Sequence, residues 1–103
     1  MSLRRQEVLL RLRQAARRGA QDALEELAAE ARRRTPADTG RLRASCRTEA
    51  DETGGAVWYT APYAAARHER QPGGKFLESA CYDPGVRARM AQALARRFRE
   101  EMR

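Results

Sequence analysis

The chain has 103 residues, a formal net charge of +7 and two cysteines. This length predicts a single domain with one modest core, because a chain of this size buries about 65% of its unfolded surface. Arginines interrupt every apolar run near the start of the chain, so the sequence predicts neither a signal peptide nor a membrane-spanning helix.

Arginine supplies nearly all of the positive charge, since Lys75 is the single lysine. An arginine excess is typical of proteins that contact nucleic acid or an acidic protein surface. A coding bias towards GC-rich codons produces the same excess in a protein without such a partner. Composition alone therefore leaves both interpretations open.

Residues 3–34 are predicted to form one long amphipathic helix, because apolar residues recur at helical spacing. Gly19 interrupts the pattern and indicates either a kink or a close helix contact, since glycine disfavours a helix interior. The predicted apolar stripe comprises Val8, Leu12, Ala15, Ala16, Ala20, Ala23, Leu24, Leu27, Ala28 and Ala31.

The helical pattern ends at Thr35, which precedes Pro36 and is thereby disfavoured in the helical region. Asp38, Thr39 and Gly40 supply the residue types of a turn. From Arg41 to Ala50 the residues alternate, which predicts a strand with one buried and one solvent-facing side. The predicted buried side holds Leu42, Ala44, Cys46, Thr48 and Ala50, and the solvent side holds Arg41, Arg43, Ser45, Arg47 and Glu49.

A second strand is predicted over residues 56–60, after a loop over residues 51–55. The two strands are expected to pair as a β-hairpin, which needs a helix or further strands as cover. Pro62 is expected to start a short helix that runs to Glu69, and residues 75–82 are expected to be helical. Asp83 is suited to the N-cap of a last helix that runs to about Met102.

The predicted fold is therefore α+β. A long N-terminal helix (1–34), a segment with the hairpin and short helices (35–82) and a C-terminal helix packed on the sheet (83–103) make one domain. Cys46 and Cys81 have no metal-type spacing. They are expected to be small buried side chains in a reducing compartment, and a disulfide between them is left open.

No catalytic constellation emerges from the sequence. His68 is the single histidine and is suited to general-base chemistry, but no activated nucleophile accompanies it. The chain has no zinc motif and no glycine-rich phosphate loop between a strand and a helix. We therefore predict no catalytic residues, no metal and no cofactor, with an enzyme that uses His68 as the weakest alternative.

Three sequence blocks follow one another along the chain. The first, after the long helix, is Thr35-Pro36-x-Asp38-Thr39-Gly40-x-Leu42-Arg43-x-Ser45. The second is Val57-x-Tyr59-x-x-Pro62-Tyr63-Ala64, which continues to His68-Glu69. The third is Lys75-Phe76-Leu77-Glu78-x-Ala80, before the last helix. In this order the blocks resemble those of the small tail-completion, head–tail joining or minor capsid proteins of tailed bacteriophages and their prophage copies.

The resemblance implies a structural, non-enzymatic subunit of a homo-oligomeric ring, a hexamer or larger, around the DNA channel of a virion. It implies neck or tail proteins as partners, non-specific contact with packaged DNA, no membrane, and assembly in the host cytoplasm. Candidate subunit contacts are Tyr59, Tyr63, His68 and Phe76. Candidate DNA-facing or merely solvent-exposed charges are Arg41, Arg43 and Arg47. The alternative function is a basic nucleic-acid-binding module.

For Trp58, Phe76 and Leu77, a place in the core of the single chain is the simpler expectation.

Overall fold

The computed structural model describes residues 3–37 and 40–103, which form five helices and two strands. The predicted α+β fold is confirmed, with a long N-terminal helix, a two-stranded antiparallel hairpin, short helices and a C-terminal helix. The elements are α1 (Leu3–Arg34), α2 (Arg41–Ala44), β1 (Cys46–Asp51), β2 (Gly54–Tyr59), α3 (Ala64–Glu69), α4 (Phe76–Tyr82) and α5 (Pro84–Glu101).

Helix α1 is the centre of the fold. The C-terminal helix α5 runs antiparallel along it, and the hairpin and α4 also pack against it. The core cluster combines Leu27 and Ala31 of α1 with Ala80 of α4 and Val86 of α5. Half-buried Val57 and Tyr59 on the hairpin, with Leu77, Cys81 and Met90, pack against this cluster. The helix-to-sheet packing of the fold is thus made largely by α1.

The predicted bounds of α1 are confirmed, but its apolar stripe is buried only from Ala15 onwards. Val8 and Leu12 remain 43% and 36% exposed, contrary to the expectation that they share the buried face. The reason is the length of α5, which ends at Glu101 beside Arg18. The Arg11 guanidinium donates to the carbonyl oxygen of Arg103 at 3.4 Å.

Gly19 marks a close contact between two helices. A Cβ atom placed on Gly19 would lie 2.5 Å from Cδ1 of Leu94 and 3.3 Å from its carbonyl oxygen. The absence of a side chain at Gly19 therefore lets α5 approach α1 at this level. The long helix continues through Gly19 from Leu3 to Arg34.

The predicted strand from Arg41 to Ala50 is wrong over its first half. Arg41–Ala44 form a short helix, and strand β1 begins at Cys46. Gly40 adopts a positive φ of 79°, and its carbonyl oxygen accepts from the Ala44 backbone N–H, which turns the chain into a helical loop. Ala44 is consequently exposed and Ser45 buried, the reverse of the predicted alternation. The predicted turn residues Asp38 and Thr39 lie outside the described residues.

From Cys46 onwards the alternation is confirmed. Cys46, Thr48 and Ala50 are the more buried residues of β1. The strands pair in antiparallel register, with Cys46 opposite Tyr59 and Asp51 opposite Gly54. The second strand begins at Gly54, two residues earlier than predicted, because an Asx-type turn shortens the loop. The Asp51 carboxylate accepts from the backbone N–H groups of Thr53 and Gly54.

The later helices begin close to the predicted positions. Helix α3 starts at Ala64 rather than at Pro62, which lies in the preceding turn. Helix α4 starts at Phe76, with Lys75 in a left-handed conformation before it. The predicted N-cap of α5 is confirmed, since the Asp83 carboxylate accepts from the N–H groups of Gly85 and Val86. After the hairpin, the chain thus returns to α1 through α4 and α5, which both pack against it.

Candidate subunit interface

The three sequence blocks meet at one place in the fold. Thr35 from the first block contacts Tyr59 from the second, with 2.7 Å between their hydroxyl oxygens. The Tyr59 ring packs edge-on against Phe76 from the third block, with 5.1 Å between ring centroids. The His68 ring packs against the same Phe76 at 4.9 Å. Segments far apart in the sequence therefore form one continuous aromatic cluster.

The direction of the Thr35–Tyr59 hydrogen bond follows from the other partner of Thr35. The Thr35 hydroxyl donates to the carbonyl oxygen of Ala31 at the end of α1. Its proton is thereby used, so the Tyr59 hydroxyl donates to Thr35 Oγ1. Burial raises the pKa of Tyr59 to about 12, and the hydrogen bond with Thr35 offsets part of this rise. Tyr59 is therefore a neutral donor at any physiological pH.

His68 holds the start of α4 in place. Its Nε2 atom lies 3.2 Å from the backbone nitrogen of Glu78 and accepts that N–H, which is in the first turn of α4. Its Nδ1 atom lies 3.5 Å from the Glu69 carboxylate. Lys75 pairs with Glu69, and this hydrogen bond is the main reason why the pKa of Glu69 is lowered. These contacts give His68 a structural role between α3 and α4.

A cavity of about 340 Å³ opens beside the aromatic cluster. Phe76 forms its floor and is only 2% exposed, as expected for a core residue. Trp58 is 38% exposed at the cavity wall, contrary to the expectation that it fills the core, and nearby Tyr63 is 40% exposed. The lining residues are Val57, Trp58, Tyr59, Ala64, Ala65, His68, Glu69, Phe76 and Leu77.

The predicted subunit contacts are thus brought together, but they differ in exposure. Tyr59, His68 and Phe76 line the cavity. Phe76 and the Tyr59 hydroxyl are used within the chain, while Tyr63 is available at the surface. Sequence reasoning missed the exposed Trp58. Strand alternation could have indicated this exposure, because Trp58 and Ala56 lie on the face of β2 opposite to Val57 and Tyr59.

The three predicted charged-surface arginines lie outside this cavity. The Arg43 guanidinium donates to the Thr35 carbonyl oxygen at 2.9 Å and so braces the first block. Arg47 donates to the carbonyl oxygens of Ala44 and Cys46. Arg41 and Arg47 border one shallow depression with Thr60 and Pro62. Arg43 therefore has a local structural contact, and Arg41 and Arg47 share a solvent-facing surface.

Both cysteines are free thiols, with Cys46 buried and Cys81 half-buried. Among residues 3–37 and 40–103, no group of histidine, cysteine, aspartate and glutamate side chains is arranged to hold a metal ion. None of the helices in this described part is both long and apolar enough to cross a membrane. Comparisons of the chain with protein-family models, with curated proteins and with solved structures give no match.

Proposed function

We propose that this protein is a structural subunit of a tailed bacteriophage or prophage particle. In this proposal it forms a homo-oligomeric ring around the DNA channel at the head–tail junction or the tail end, as a neck, tail-completion or tail-terminator protein. The observation that carries the proposal is the convergence of the three sequence blocks on one aromatic cluster. Residues from each of the three blocks behind the phage resemblance are thus in contact with one another around Tyr59 and Phe76.

Two features of the packing support a ring. The core is thin, since alanine supplies five of the ten buried hydrophobic residues in the described part of the chain. The hairpin is covered on one side by α1, and its other side carries the exposed Trp58. A two-stranded sheet with an open face and open edges is marginal alone and gains stability from a neighbouring subunit.

The phage assignment is tested by the gene neighbourhood and by the particles themselves. We expect genes for a portal, a major capsid protein and a tail tube beside the gene for this chain. We also expect the protein in purified particles after induction of the prophage. A neighbourhood of unrelated metabolic genes, together with absence of the protein from particles, would contradict the assignment.

A basic nucleic-acid-binding module is the second candidate, and the distribution of charge favours it. Antiparallel packing of α1 and α5 places Arg18 beside Glu101 and Asp22 beside Arg97. Residues 4–18 and 96–103 therefore share one end of the molecule and carry ten arginines against three glutamates. Residues 19–95 are balanced, with eleven basic and eleven acidic side chains.

A salt series separates this candidate from the first. A dedicated binder is expected to hold duplex DNA tightly, with an affinity that falls steeply as salt rises, because phosphate contacts release counterions. A ring subunit that only lines a DNA channel is expected to bind isolated duplex weakly at physiological salt. Tight, sequence-dependent binding by a monomer would favour the second candidate over the ring.

A further inference from the structure

The first two turns of α1 project beyond the rest of the fold. Helix α5 ends at Glu101 beside Arg18, and the chain after it reaches the Arg11 side chain through the carbonyl oxygen of Arg103. The hairpin tip at Glu52 borders the same depression as Leu10 and Arg13. Residues 3–10, here called the overhang, therefore extend past both of the elements that cover α1. At 1.5 Å per residue the overhang is about 12 Å long.

The overhang has the properties of a surface that lacks its cover. Val8, Leu9 and Leu10 are 43%, 41% and 62% exposed. Two short turns of helix without packing are marginal in water. The first turn also carries Arg4 and Arg5 and no acidic residue, which places positive charge at the positive end of the helix dipole. An apolar surface with negative charge would stabilise this segment.

The outer face of the hairpin, the side away from α1, has these complementary properties. The strand register places Arg47 beside Trp58, Glu49 beside Ala56 and Asp51 beside Gly54 on this side. Trp58 is its large exposed apolar residue and lies opposite Arg47, at the end away from the hairpin tip. Glu49, Asp51 and Glu52 are exposed, and within the described part of the chain none of them forms an ion pair. The acidic residues concentrate at the hairpin tip.

We propose that the overhang of one copy packs on the outer hairpin face of a second copy. Val8 and Leu9, which are neighbours on one side of the helix, would cover Trp58 and Ala56, and Arg4 would pair with Glu49. This inference rests on the proposed ring, and it names the two surfaces that join its subunits. It also gives a cover to the exposed apolar side chains of both surfaces.

Size and symmetry agree with this arrangement. A six-residue strand is about 20 Å long, so the hairpin face accommodates a helix segment of about 12 Å. The two surfaces differ, so each copy offers one to each neighbour, and such head-to-tail contacts close into a ring when the rotation allows. A nucleic acid would contact the arginines but would leave the leucines of the overhang and the acidic hairpin face uncovered.

Two double variants test the proposal. The overhang variant is Arg4→Glu with Val8→Glu, and the hairpin variant is Ala56→Glu with Trp58→Glu, so the two altered surfaces repel each other in a mixture. All four side chains are exposed, so we expect a native circular dichroism spectrum from both. The control is Arg99→Glu with Ala88→Glu on α5, which changes the net charge as much as the overhang variant does. Each interface variant should weaken self-association about tenfold or more, and the control should not.

Mixing the two interface variants gives the sharper result. The overhang variant keeps a functional hairpin face, and the hairpin variant keeps a functional overhang. We expect the mixture to form a complex of one copy of each variant that cannot extend further, detected by native mass spectrometry. If the wild type is oligomeric but both variants assemble as it does, this interface is wrong and the proposed ring stands. A wild type that stays monomeric overturns the ring as well.

Discussion

The Tyr59 hydroxyl donates to the Thr35 hydroxyl across 2.7 Å and thereby ties the hairpin to the end of α1. The Thr35 hydroxyl in turn donates a hydrogen bond to the carbonyl oxygen of Ala31. The residue that ends the helix before Pro36 is thus also the residue that anchors the second strand. Thr35 is 1% exposed, so its hydroxyl cannot exchange this bond for water.

A double-mutant cycle measures this link. Thr35→Val should lower the free energy of unfolding by about 1–3 kcal/mol, because it leaves the buried Tyr59 hydroxyl without an acceptor. Tyr59→Phe should cost about 0.5–1.5 kcal/mol. The double variant should lose less than the sum of the two, since it has no stranded donor. Urea denaturation at one fixed protein concentration provides the values.

Thr60→Val is the control for this cycle, because the hydroxyl of the exposed Thr60 makes a long 3.3 Å contact with the Ser45 carbonyl oxygen, and valine keeps the backbone N–H that also donates to it. It should change stability little. Strict additivity of the Thr35 and Tyr59 substitutions would show that the two hydroxyls do not interact.

The contact between Gly19 and Leu94 predicts a dependence on side-chain size. Gly19→Ala should be close to neutral, because the gain in helix propensity of about 1 kcal/mol offsets a displaced Leu94 side chain. Gly19→Leu should destabilise by about 1–3 kcal/mol, since it forces α5 away from α1. Thermal unfolding followed by circular dichroism compares the two. Equal stability of both variants would contradict the close approach.

Asp83 makes stability depend on acid pH. Its pKa is lowered first by the hydrogen bond from Arg34 and then by the N–H groups of Gly85 and Val86. A lowered pKa in the folded chain stabilises the fold above the ordinary value of 3.8, and this stabilisation is lost as the pH falls below it. Stability should therefore decline in acid.

Asp83→Asn separates the charge of Asp83 from its cap. Asparagine keeps the N-cap of α5 but loses the ion pair with Arg34, whereas Asp83→Ala loses both. At pH 7 the urea midpoints should rank wild type, Asn variant, Ala variant in falling order. The difference between wild type and the Asn variant should shrink near pH 3. A difference that is independent of pH would exclude the ion pair as its cause.

The two thiols should differ in reactivity. Burial is the main reason why the pKa of Cys46 is raised, and the side chain is 3% exposed, so Cys46 should resist thiol reagents in the folded protein. Half-buried Cys81 should react faster. Labelling with Ellman's reagent should give one fast thiol, which Cys81→Ser removes, and a second on unfolding. No reactive thiol in urea without reductant would instead indicate a disulfide.

Periodicity predicted the elements that are decided locally. The bounds of α1, the pairing of the two strands and the Asp83 cap of α5 each depend on nearby residues, and each is confirmed. The strand prediction was wrong for Arg41–Ala44 because four residues with alternating arginines fit a helical turn as well as a strand. The left-handed conformation of Gly40 decides between them, and an alternation pattern does not contain it.

The surfaces could not be predicted in the same way. Whether Val8 is buried depends on where α5 ends along α1, and this is set by the register of two helices far apart in the sequence. Whether Trp58 is buried depends on which face of the hairpin α1 covers. The sequence pointed to Tyr59, His68 and Phe76 as candidate subunit contacts, while their packing against one another and their exposure required the packed chain.

The most direct test of the central claim is native mass spectrometry of the wild-type protein across a concentration series, at physiological salt. The account predicts one discrete closed oligomer, a hexamer or larger, that electron microscopy shows as a ring. A protein that remains monomeric up to its highest soluble concentration, or that grows into filaments of indefinite length, would contradict it.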